Sequence, residues 1–182
     1  PAVCESDRLN VKLKELLEYA KPNEPQRIGI SLGEISKRAC SLLDQEFRKR
    51  NIVLGYPGAG GETKVFCDPE QIHQVMINIL LNALQAVGEN CEVSISHPIN
   101  SIKGEGFADI RISDNGPGIP AAIMPRIFEP YFSTRKEGTG LGLALAQRIV
   151  HNNGGFIGAE SEEGKGSLFV ISLKKHTQSR NS

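Results

Sequence analysis

The chain has 182 residues, enough for one sizeable core and a small appendage. Lysine plus arginine and aspartate plus glutamate both number 21, so the formal charge is zero and no basic excess points to nucleic acid or an anionic membrane surface. No apolar run is long enough to span a bilayer, the opening residues do not read as a signal peptide, and Cys4, Cys40, Cys67 and Cys91 lack CxxC or metal spacing. Reduced thiols of a cytoplasmic domain are the expectation.

Leu9, Leu13, Leu16, Leu17 and Ala20 recur at helical spacing and predict a helix over 5–20, ended by Pro22 and Pro25. Such a stripe needs a partner to bury it. Ile28, Ile30 and Leu32 alternate, which predicts a short strand. A helix over 33–50 follows, with Ile35, Ala39, Leu42, Leu43 and Phe47 facing in. Strands at 52–54 and 65–67 flank a glycine-rich stretch, 56–61. It lacks the GxxxxGKS/T pattern of a phosphate loop and reads as a hairpin turn. Asp68 as N-cap and Pro69 at the first position open the strongest helix, 69–88.

Strands at 91–97 and 107–114 come next, then an irregular, proline-marked stretch over 120–138. A helix over 141–152 ends before Gly154-Gly155, and strands at 155–160 and 166–173 follow. The polar tail from Lys174 is expected to fray. Helices mixed with antiparallel hairpins, without repeating βα units, predict an α/β (α+β) two-layer sandwich. Its sheet would be mixed, mostly antiparallel, and covered on one face by about three helices.

Three segments carry chemistry. On the helix 69–88, Ile72, Val75, Met76, Ile79, Leu80, Ala83 and Val87 form an apolar face, while Asn78, Asn82 and Gln85 cluster about a quarter turn away. Amides beside a buried stripe line a pocket mouth, and a carboxamide oxygen suits Mg²⁺ carried by phosphates. In the strand ending at Asp114, Ala108, Ile110, Ile112 and Asp114 share one face, so a carboxylate lands on the core side. It must find donors there. The exocyclic amino group of adenine is one. Gly116 and Gly118 let the backbone turn close to a base, and Pro117 and Pro120 stand where a hairpin would return. Finally, Gly138-Thr139-Gly140-Leu141-Gly142-Leu143 runs into a helix and brings backbone N–H groups to where phosphates would lie. One asparagine or one Asp-Asn-Gly turn would be ordinary surface. The ordered set is what carries weight.

That set is Asn78-Ile-Leu-Leu-Asn82-Ala83, Asp114-Asn-Gly116-Pro-Gly118-Ile119, Ile127-Phe128-Glu129-Pro130-Tyr131-Phe132 and Gly138-Thr-Gly140-Leu-Gly142-Leu143. It resembles the N, G1, F and G2 boxes of the sensor histidine kinase ATP-binding domain, a branch of the GHKL superfamily, over about residues 5 to 175. The resemblance implies the GHKL fold, ATP and Mg²⁺ as cofactors, and Asn82 as the metal ligand. Asn78 lies one turn earlier, and Gln85 lies in reach of a phosphate where many relatives carry a basic residue. Asp114 would bind adenine, with Gly116 and Gly118 turning the backbone and Ile119 packing on the ring. Residues 120–140 would form a lid anchored by Phe128 and Phe132. Thr134, Arg135 and Lys136 would bring charge to the γ-phosphate, Arg135 standing where the family often has lysine. Ser167 occupies a position where relatives place a hydroxyl near the adenine-binding aspartate.

Relatives that hydrolyse ATP place a glutamate general base four residues before the metal asparagine. Here that residue is Asn78, which cannot take a proton. The resemblance therefore implies a kinase domain that passes the γ-phosphoryl group to a histidine on dimerisation helices, and from there to a response regulator receiver domain. A GHKL ATPase or serine kinase module, or a non-catalytic nucleotide-binding scaffold, are the alternatives. His73, His97, His151 and His176 lack the acceptor motif, so this chain is not expected to phosphorylate itself. Residues 1–22 look like the end of the dimerisation hairpin, 23–175 the catalytic domain and 176–182 a tail. A start at Pro1 suggests a piece of a longer protein, monomeric once its partner helix is missing. Its expected partners are ATP, the parent's phosphoacceptor helices and a receiver domain, with no nucleic acid and no membrane contact.

Overall fold

The computed structural model describes residues 24–56, 61–88, 91–135 and 138–177. The helix expected over 5–20 lies outside them. After β1 (Ile28–Ser31), Ser31 Oγ accepts the Glu34 N–H and opens α1 (Leu32–Lys49). Glu34 in its first turn and Arg48 and Lys49 in its last turn complement the helix dipole. Leu32, Ile35, Ser36, Ala39, Leu43 and Phe47 are buried. Leu42, expected to face in, is 63% exposed, because it lies one residue, about 100°, off that stripe.

Then come β2 (Val53–Gly55), β3 (Lys64–Cys67) and α2 (Pro69–Ala86). Asp68 caps α2 by accepting the N–H groups of Glu70 and Gln71. β4 (Glu92–Ser96), β5 (Phe107–Asp114), a short 3-10 turn (Met124–Arg126), α3 (Gly142–Asn152), β6 (Phe156–Glu162) and β7 (Gly166–Lys174) complete the order.

The main sheet runs β2-β4-β5-β7-β6. The β2–β4 pair is parallel and the rest are antiparallel. Val93, Ile95, Ile110, Ile112, Phe169, Ile171 and Leu173 point from alternate positions into the shared core with the helices. The expected sandwich is therefore present, with three helices among the described residues.

Two further expectations fail. The stretch 56–61 does not close a hairpin, because β2 joins the main sheet while β3 pairs antiparallel with β1 in a separate two-stranded sheet. Main-chain bonds from Leu32 to Thr63 and from Gly33 to Gly61 carry the chain across the start of α1 instead. The tail does not fray at Lys174. Lys175 bridges to Val65, the His176 N–H donates to the Lys64 carbonyl, and the His176 ring stacks on Phe66 at 5.7 Å.

Buried Asn153, just past α3, fixes the two helices that frame the site. Its Oδ1 accepts the Asp68 N–H at 2.7 Å, and its Nδ2 donates to Gln71 Oε1 and the Ile149 carbonyl, both at 2.9 Å. The C-terminal end of α3 thus meets the N-terminal end of α2. At the other end, Asn78 Nδ2 donates to the Gly142 carbonyl at 3.2 Å. The helices run antiparallel, which sets the glycine loop beside the amide flank of α2.

Candidate nucleotide-binding site

Asp114 ends β5 opposite Ser167 on β7, on the helix side of the sheet. Its Oδ1 accepts the Gly116 N–H at 2.9 Å. Burial pushes its carboxyl above the usual carboxylate range, opposed by the N–H groups of Gly116 and Ser167. A half-buried carboxylate has more acceptor sites than these two N–H groups fill, so it can accept a further donor from a ligand. Gly116 is buried against the end of α2, where an added Cβ would lie 2.8 Å from Val87 Cγ1. Gly118 has φ +71°, and its missing Cβ would lie 2.1 Å from the Glu162 carbonyl oxygen. Only glycine fits there, since the β6–β7 tip presses on this loop. Gly164 donates to the Pro117 carbonyl at 2.7 Å, and the half-buried Ile119 donates its N–H to Ser161 Oγ at 2.8 Å.

The amide flank faces the glycine loop and the stretch before it. The Arg135 guanidinium donates to Gln85 Oε1 and, at 3.3 Å, to the Asn82 main-chain carbonyl. Ser133 Oγ accepts the Arg135 N–H at 3.1 Å. A cation is therefore held against α2 at Asn82 and Gln85. Phe128 packs half-buried on the core, and Arg126 lies over the Phe132 ring at 4.3 Å. Gly140, at φ +68°, closes on this stretch, and the Tyr131 N–H donates to its carbonyl at 3.0 Å. Tyr131 itself sits at φ +66°, an uncommon conformation for an aromatic residue. Thr139 Oγ1 accepts the Leu141 N–H at 3.3 Å, Leu141 is buried, and no side chain among the described residues caps the start of α3. Those first N–H groups are suited to an anion.

The structure thus joins Asn78 to Gly142, Arg135 to Asn82 and Gln85, and Asp114 to Gly116 and Ser167. Gly138 and Leu143 lie in the same loop and helix start, with Leu143 packed on the core. Thr134 is exposed beside Arg135, and Lys136 lies outside the described residues. Sequence reasoning gives Val87 and Tyr131 no part in the site of their own and passes over Ser161. Ser161 had one available signal: it continues the inward period of Ile157 and Ala159 along β6.

A mixed sheet with helices on one face, a carboxylate at a strand end and an uncapped helix behind a glycine loop defines a nucleotide-binding sandwich. The model of the histidine kinase-, DNA gyrase B-, and HSP90-like ATPase family matches residues 67–177, and the chain belongs to that family. It is 36% identical over 177 residues to the sensor histidine kinase ZraS of Klebsiella oxytoca, which covers 97% of this chain and 38% of that relative's length. It matches the catalytic domain of histidine kinase ThkA in a nucleotide-free form, with TM-score 0.73 and 30% identity over 82% of this chain and 96% of that one. Against histidine kinase ThkA in complex with response regulator protein TrrA, the TM-score is 0.79 at 28% identity, over 98% of this chain and 50% of that one. The fold and family expected from the boxes are both found. No helix among the described residues is long and apolar enough to cross a membrane.

Proposed function

We propose that this chain is the ATP-binding catalytic domain of a two-component sensor histidine kinase. The observation that carries the reading is the placement of Asp114: a half-buried acceptor at a strand end, on the sheet face that also bears α2 and the glycine loop. Asp114 accepts from the adenine amino group, and the first N–H groups of α3, with Gly138 and Gly140 before them, receive phosphates. Arg135, held at Asn82 and Gln85, offsets the charge of a γ-phosphate. Asn78 is committed to the Gly142 carbonyl, so it positions the loop and takes no proton. With no base at this position, ATP is kept for a nucleophile from elsewhere.

The donor set suits Mg²⁺ of one kind. Among the described residues no group of three acidic, histidine or cysteine side chains could hold a metal unaided. Half-buried Asn82 supplies one hard carboxamide oxygen, so phosphates and water would provide the other ligands. A bound Mg²⁺ would neutralise phosphate charge.

The ThkA–TrrA complex supports a response regulator receiver domain as the downstream partner, and the ZraS match supports a histidine on dimerisation helices as the first acceptor. In this reading residues 1–22 belong to that hairpin, 23–175 form the catalytic domain, and the domain works in the cytoplasm. The test is transfer in trans. This chain, labelled ATP and a separately made dimerisation domain bearing an acceptor histidine should give acid-labile label on the added domain and none on this chain. Steady phosphate release into water, with no labelled acceptor, would favour an ATPase.

A further inference from the structure

Ser161 on β6 stands opposite Ser167 on β7, which stands opposite Asp114 on β5. The row continues the inward-facing period of Phe169 and Ile171, so the three side chains share the helix side of the sheet. Facing side chains on adjacent antiparallel strands have Cβ atoms about 5 Å apart. Ser161 Oγ has three partners: the Gly166 carbonyl at 2.7 Å, the Ile119 N–H at 2.8 Å and Ser167 Oγ at 3.1 Å.

A hydroxyl has one proton and two lone pairs. The Gly166 carbonyl only accepts, so the Ser161 proton goes there. The Ile119 N–H takes one lone pair. The Ser161–Ser167 contact must then be donated by Ser167. The single hydroxyl proton of Ser167 is thereby turned toward Ser161, and its lone pairs are left for other donors. The neighbouring Asp114 carboxylate likewise only accepts.

We propose that Ser161 is a specificity-determining positioning residue. By fixing the direction of the Ser167 hydroxyl, it makes the base end of the pocket a surface of acceptors. Such a surface selects a purine carrying a 6-amino group, which brings two N–H bonds, over one carrying a 6-oxo group. Without Ser161, the Ser167 hydroxyl can rotate and donate to a 6-oxo group, so discrimination rests on Asp114 alone. The proposal rests on the reading of Asp114 as the base-binding residue.

The test is competition binding of ATP and inosine triphosphate to the wild-type chain, Ser161→Ala, Ser167→Ala and the double variant. Thermal unfolding of each variant verifies that it is folded. Ser161→Ala should lower the ATP-to-inosine preference about fivefold, the scale of one hydrogen bond. In the Ser167→Ala background the same substitution should leave the preference unchanged, because the hydroxyl it directs is gone. A merely structural role through the Ile119 backbone would lower affinity equally for both nucleotides and in both backgrounds. That result, or an unchanged preference in Ser161→Ala, overturns the proposal. If Ser161→Ala does not fold, Ser161→Cys keeps the volume with a weak donor and acceptor and should show the same loss of preference. A wild-type chain that binds ATP but ignores Asp114→Asn would overturn the base-site reading itself, an outcome distinct from failure of the Ser161 step alone.

Discussion

In the proposed reading, Asp114 serves binding at the expense of stability. Its carboxyl pKa is raised by burial, so the folded state disfavours the charge that the unfolded chain carries freely. Because the folded value exceeds the unfolded one, its stabilising contribution belongs to acid pH and is lost as pH rises through the folded value. At neutral pH the charged form is a cost that adenine would relieve in the proposed reading. Asp114→Asn should therefore leave the melting temperature unchanged or raised while weakening Mg-ATP binding about tenfold or more, the scale of a charged hydrogen bond. A variant that loses stability and keeps its affinity would count against this assignment. Strand alternation alone placed Asp114 on the inner face. It can place Ser161 on the inner face as well, but not assign its role, which depends on how β6 registers against β7 and on where the 114–119 loop folds back. Both are long-range facts.

Among the elements, α3 and the glycine loop before it make the sharpest contrast between two glycines. At Gly140, φ is +68° and an added Cβ would lie 2.5 Å from the Tyr131 carbonyl carbon and 2.7 Å from the Phe132 nitrogen. At Gly142 an added Cβ meets nothing within 4 Å. Gly140→Ala should displace the 131–132 segment and destabilise the fold by about 1–3 kcal/mol, with ATP affinity falling alongside. Gly142→Ala, at the first position of a helix, should be as stable as the wild type or more so. If Gly142→Ala keeps its stability yet loses ATP, the space at that position is taken by the ligand. Thermal melts paired with nucleotide titration read both outcomes. The sequence made α2 legible because Asp68, Pro69 and an unbroken apolar stripe agree with one another. The stretch 56–61 misled because a glycine-rich link between two short strands is locally the same whether they pair or part. Only the partners β4 and β1 decide it.

At the scale of the whole molecule, stability has a built-in acid limit. His97 is buried, its Nε2 meets Ser36 Oγ at 2.9 Å, and its Nδ1 has no hydrogen-bond partner among the described residues. Burial holds its pKa below the ordinary value, and half-buried His73 on α2 is shifted the same way, chiefly by burial. With folded values depressed, the unfolded chain binds more protons in this range. Stability is complete above about pH 6.5 and is lost as pH falls toward the folded values. Melting temperature should drop between pH 7.5 and pH 5.5 (conditions of about one unit either side of the free histidine pKa), and His97→Gln should flatten that drop. An equal drop in His97→Gln would place the acid sensitivity elsewhere.

The family, the fold and the order of the boxes were legible because each box is a local pattern with its own chemistry. The central claim, that these boxes converge on one Mg-ATP pocket, is tested most directly by calorimetric titration of ATP, with and without Mg²⁺, into the wild-type chain and Asn82→Ala. The wild type should bind ATP more tightly with Mg²⁺ than without it, and Asn82→Ala should bind with no dependence on Mg²⁺. No binding by the wild-type chain, or an undiminished Mg²⁺ effect in Asn82→Ala, would contradict the assignment.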